Sequence, residues 1–94
     1  MDIVHIEKAG KCKEILIAQL KEELKDVVNY GNIYDLLKEH GHYDAADDIE
    51  SIARDEYHHA KILSDILDDW GYNMYDDAEI VKLWQDAKHE FEID

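Results

Sequence analysis

Two apolar stripes, broken at three places, constrain this chain more than any other feature. Taken in alternating steps of four and three, the first half reads Leu16, Leu20, Glu23, Val27, Tyr30, Tyr34, Leu37. The second half reads Ala45, Ile49, Ile52, Glu56, His59, Leu63, Ile66, Trp70. Such steps keep side chains on one face of an α-helix. Both stripes are apolar or aromatic except at Glu23, Glu56 and His59. The helix pattern therefore places two carboxylates and an imidazole where it reserves a core. A carboxylate is almost never fully buried without a partner, because desolvating its charge is costly.

Three helices are legible. The first is expected from about Lys11 to His40, ended by Gly41 in a left-handed conformation. The second begins near Asp44, with Asp47 and Asp48 favouring the dipole of its first turn, and runs to Trp70 before Gly71. The third carries a cap signature in Asp76 and Glu79 and continues to about Phe91, with Ile80, Trp84, Ala87 and Phe91 on one face. The segment before Gly10 reads either as an extra helical turn or as an extended arm. The link Gly41-His42-Tyr43 is short, so the two long helices are antiparallel neighbours. From Glu23 to His40 the chain climbs about 26 Å, and from Asp44 to Glu56 it descends about 18 Å. Fraying and the turn absorb the difference, which puts Glu23 and Glu56 at nearly one height. Two Glu and one His in one layer call for a cation. A Glu-x-x-His element facing a Glu on the next helix is half of a carboxylate-bridged dinuclear metal site.

Size and charge fit that reading. The 94 residues make a single all-α domain, with the metal-binding hairpin at about 11–70 and an accessory helix at about 76–92. There is no Pro and there are four Gly, as suits a helical chain. A formal charge of -14 repels nucleic acid and anionic membranes and attracts metal cations. Most of these carboxylates need do no more than keep a small protein solvated. Cys12 is alone, which excludes an internal disulfide and a four-cysteine metal centre. Neither a secretory signal nor a membrane-spanning run is visible, so the expected location is the cytoplasm or a protein compartment within it.

A hairpin cannot enclose its own seam. The side stripes Ile17, Leu24, Val28, Gly31 and Ala46, Ala53, Ala60, Leu67 add a second apolar face to each long helix and ask for another neighbour. The simplest completion is a second copy of the chain. A homodimer of hairpins makes a four-helix bundle and doubles the ligands to four Glu and two His. The third helix has no Glu-x-x-His; Asp86 and His89 face away from its apolar stripe and read as surface residues. His58 points about 100° away from His59 and reads as exposed. His5, His40 and His42 lie near the arm or the turn. Glu22 and Asp26 flank Glu23 as a solvated face or a cation entry path. Tyr34 and Trp70 read as packing residues.

Glu23, Tyr30 seven residues on, and the run Asp55-Glu56-Tyr57-His58-His59-Ala60 together resemble the ferritin-like superfamily. Within it the chain is most similar to the rubrerythrin di-iron domain and the short encapsulated ferritins, over about residues 11–70. That resemblance implies that Glu56 bridges two ions, Glu23 binds one terminally and His59 supplies the nitrogen ligand. It gives Asp55 an outer role, accepting a hydrogen bond from the partner's His59; Asp55 also reads as a solvated charge beside Arg54. It implies two iron ions per dimer, with manganese or zinc compatible with the same ligands. The activity implied is a ferroxidase or peroxidase-type oxidation of Fe(II) by O2 or peroxide. Tyr30 is the catalytic candidate, placed to hydrogen-bond a ligand or pass an electron; a core Tyr with a satisfied hydroxyl is the plainer reading. Partners implied are a second or further copy of the chain, an electron-donor protein and an encapsulating shell. Three features depart from these families. There is no Cys-x-x-Cys, no recognisable shell-targeting tail, and Asn29 stands where encapsulated ferritins tend to carry Trp. A metal-binding module without catalysis, and a structural helical dimer in which Glu and His pair with each other, are the alternatives.

Overall fold

A computed structural model of the chain describes residues 3–91, with side chains placed for 11–90. The described residues form α1 (Ile3–Glu39), α2 (Tyr43–Asp69), a single 3-10 turn (Met74–Asp76) and α3 (Ala78–Phe91), with no strand among them. None of these helices is long and apolar enough to cross a membrane. The helix α1 begins before Gly10, which is therefore helical rather than the end of an arm. One interior Gly costs about 1 kcal/mol, too little to stop a helix of this length. The side chain of His5, that of Phe91 and the tail beyond it lie outside the described residues.

Both long helices stop the same way. Gly41 and Gly71 adopt φ of 77° and 78°, a region where a Cβ is strained. The Gly41 amide donates to the Lys38 carbonyl at 3.1 Å and the His42 amide to Leu37 at 2.8 Å. The Gly71 amide donates to Asp68 at 2.9 Å and Tyr72 to Leu67 at 3.0 Å. This double pattern satisfies carbonyls that a helix end otherwise leaves unpaired. The start of α3 is shifted by one residue from the expected cap. Asp77, not Asp76, accepts from the amides of Glu79 and Ile80, at 3.1 and 3.3 Å. Its other oxygen accepts from the Tyr72 hydroxyl at 3.1 Å and pairs with Lys21 of α1 at 3.2 Å. Burial pushes the Asp77 carboxyl up, but Lys21, the Ile80 amide and Tyr72 together hold it below the usual range.

The seam between α1 and α2 differs from the stripes read in the sequence. It is built by Leu20, Leu24 and Val27 against Ala46, Ala53, Ala60 and Leu67, none more than 1 % exposed. The α2 contribution is the side stripe, whose repeated Ala lets the backbones approach closely. Of the expected α1 stripe, Leu20 and Val27 are fully buried, whereas Tyr30, Tyr34 and Leu37 are half-buried. On the expected α2 stripe Ile52 is 41 % exposed and Trp70 48 %, so Trp70 is not a packing residue within the chain.

The third helix explains the difference. It runs in the same direction as α1, meeting Lys21 at Asp77 and reaching Gly31 at Glu90. A Cβ on Gly31 would run into the Glu90 side chain, which lies over this glycine. Ile80 and Ala87 are buried, and Trp84 meets the Tyr57 ring edge-on at 5.3 Å and 87°. The side stripes expected to need a second copy are thus covered within the chain. The face left open is the one bearing Glu23, Glu56 and His59. As expected, the Asp86–His89 pair is on the surface: Asp86 pairs with Lys82 at 3.3 Å and His89 is exposed.

Candidate metal centre

Three side chains meet on the open face of the hairpin. Glu23 comes from α1; Glu56 and His59 come from successive turns of α2. Ligand-type atoms of all three lie within 4.8 Å of one another, as their matching heights along the two helices require. His59 Nδ1 lies 3.8 Å from Glu23 Oε2 and 3.8 Å from Glu56 Oε1. That is too long for hydrogen bonds. Atoms held at about 2.0–2.2 Å from one ion stand about 3–3.5 Å apart, so the cluster would have to close to share one.

The setting is half-open. The side chain of Glu23 is 13 % exposed, Glu56 22 % and His59 52 %. Within one chain the layer is therefore the rim of the hairpin rather than its core. Glu23 Oε1 accepts a hydrogen bond from Gln19 Nε2 at 3.0 Å. Glu23 Oε2 is buried and, with the carboxylates ionised, has no hydrogen-bond donor among the described residues. A proton on Glu56 is one way to satisfy it. Accordingly, the hydrogen bond to Glu23, burial and the Glu23 charge push the Glu56 carboxyl up to about 7, against an opposing pull from His59. Asp26, one turn along α1, is pushed up by burial and by the charges of Glu23 and Glu22. Glu22, Glu23, Asp26 and Glu56 thus make this rim a cluster of acidic groups.

The other candidates are placed apart from the cluster. Tyr30 is half-buried on α1, about 10 Å along the helix from Glu23. Asp55 is exposed on α2, as is His58, and Glu22 is exposed on α1. His40 is engaged at the turn, its Nδ1 lying 2.9 Å from the Leu36 carbonyl oxygen. Gln19 escapes a reading of the stripes alone, although its spacing four residues before Glu23 puts it on the same face. A cleft of about 580 Å³ lies between α2 and α3, lined by Tyr57, Ser64, Met74 and Trp84 among others. Its lining does not include Glu23, Glu56 or His59, and Tyr57 points about 100° away from Glu56 on α2.

Exposed apolar side chains occur on the same side of α2 as the cluster, Ile52 about one turn before Glu56 and Trp70 about 16 Å beyond His59. Ile62, 46 % exposed, lies on the flank of that face. No family model, curated protein or solved structure matches the chain.

Proposed function

We propose that this chain is one half of a two-chain carboxylate metal centre that oxidises Fe(II). Two copies pack by their open faces into a four-helix bundle, and Glu23, Glu56 and His59 of each copy contribute to one site holding two ions. The observation that carries this reading is the cluster itself. Three ligand-type groups converge within 4.8 Å, and one of their oxygens is buried without a donor. Exposed Ile52 lies one turn before Glu56 and exposed Trp70 further along the same face of α2, so a partner laid along this face would cover the cluster as well. The third helix supports the same geometry by blocking the other side of the hairpin.

The donor set fits iron. Mixed carboxylate and imidazole ligation suits iron, manganese or zinc, and affinity order alone does not choose among them. Four carboxylates are balanced by two divalent cations, which lets the layer be enclosed at low net charge. Glu56 and Glu23 would hold the ions through carboxylate oxygens, Glu23 through Oε2, and His59 would supply nitrogen. A bound pair of irons supplies two electrons to O2 or peroxide at one place. The three side chains of each copy would hold the ions, while the negative charge of Glu22 and Asp26 would attract the incoming cation. Tyr30 and Asp55 enter as neighbours of the enclosed site, Asp55 toward the ring nitrogen of the partner's His59.

Anaerobic loading with Fe(II), followed by metal analysis, light scattering and stopped-flow mixing with O2, tests the proposal. The expected result is a dimer with two irons that oxidises Fe(II) faster than buffer, and a Glu56→Ala variant that binds little metal. Equal metal content in Glu56→Ala refutes the ligand assignment. A folded monomer that retains metal refutes the shared site. Bound iron oxidised no faster than in buffer reduces the function to metal binding.

A further inference from the structure

The two oxygens of Glu23 have unlike surroundings. Oε1 accepts from the Gln19 amide at 3.0 Å, while Oε2 is turned inward, buried, and faces His59 Nδ1 at 3.8 Å. A glutamate on a helix surface ordinarily rotates about its terminal bonds and offers either oxygen, or both. Here the helix fixes the donor as well, because Gln19 is four residues earlier on the same helical face. We infer that Gln19 is a positioning residue for the metal centre: it holds one oxygen of Glu23 and so makes the other a single-oxygen, terminal ligand.

The inference rests on the metal-site reading above and adds a cause for one feature of it. A carboxylate without this restraint can swing to bind one ion through both oxygens, or turn out of the layer. The neighbours of Glu23 on α1 do not offer a replacement donor, because Glu22 and Asp26 are acidic. Gln19 itself is exposed in the isolated chain, so its effect on folding is small. An exposed Gln–carboxylate pair at this spacing stabilises a helix only slightly. Its effect on an ion is larger, because the ligand geometry depends on it.

The test uses Co(II) as the probe, on the full chain, in Gln19→Met and Gln19→Glu. Methionine keeps the length and helix propensity of Gln and removes the donor. Glutamate keeps the shape, removes the donor and adds attraction for the cation. Both variants are expected to keep the wild-type helix content and oligomeric state. Gln19→Met is expected to bind Co(II) about 5- to 10-fold more weakly, near the low end for outer partners of metal ligands. Its visible Co(II) absorption should change in intensity and position, which reports a change of coordination that a purely structural role would not produce. Gln19→Glu should show the same spectral change even if its added charge restores affinity. Wild-type affinity within about twofold together with an unchanged spectrum in both variants overturns the role of Gln19 while leaving the metal site standing. Absence of Co(II) binding by the wild-type chain overturns both.

Discussion

Neutralising Glu56 should separate the proton from the metal as the partner of Glu23. In the metal-free protein the Glu56 carboxyl is pushed from 4.5 up to about 7 by the hydrogen bond to Glu23, by burial and by the Glu23 charge. The folded state therefore holds its proton more tightly than the unfolded chain does. The stability this contributes is fully present below pH 4.5, declines from there, and is lost as pH rises through about 7. At full strength such a shift corresponds to about 3 kcal/mol. The rim is partly open to solvent, and screening reduces the contribution to about 1–2 kcal/mol. Glu56→Gln carries a permanently neutral amide that can still donate to Glu23, so it should not lose this contribution. Asp26 and Glu90 are also pushed up, but they are common to both proteins and cancel in the comparison. The assay is urea unfolding with a chelator present, at fixed protein concentration, from about pH 4.5 to 8.5. The wild type should lose about 1–2 kcal/mol relative to Glu56→Gln across that range. A divalent cation needs the ionised carboxylate, so its stabilisation of the wild type should grow with pH and be largely absent in Glu56→Gln. Parallel stability curves for the two metal-free proteins would refute the shared-proton argument.

Two further substitutions test the frame that holds the site. Asp77→Ala removes the cap of α3, the Lys21 ion pair and the Tyr72 bond together; an expected loss of about 1–2 kcal/mol is read by urea unfolding, and an unchanged midpoint would show that α3 is held by its apolar face alone. Leu24→Ala empties a fully buried position of the α1–α2 seam and should cost about 2–5 kcal/mol, whereas the same change at exposed Leu36 should cost well under about 1 kcal/mol; similar losses at both would contradict the seam described.

Helix ends and the heights of residues along the helices follow from local sequence. Gly41 and Gly71 stop helices because a left-handed turn favours a residue without Cβ, and that requirement is local. A short link between long helices fixes their antiparallel register, which is why Glu23, Glu56 and His59 could be brought together on paper and meet in space. Rotation about each helix axis is another matter. Both long helices carry two apolar stripes, and a stripe's hydrophobicity does not say which neighbour covers it. That choice is made in three dimensions, through α3. Its Ile80, Trp84 and Ala87 occupy one side of the hairpin, Glu90 lies over Gly31, and the repeated Ala of α2 permits the closest backbone approach to α1. The seam turns toward those small residues, and the stripe with the carboxylates is left at the rim. The same rotation is favourable for the charges, because a half-open rim costs two carboxylates far less desolvation than a closed core.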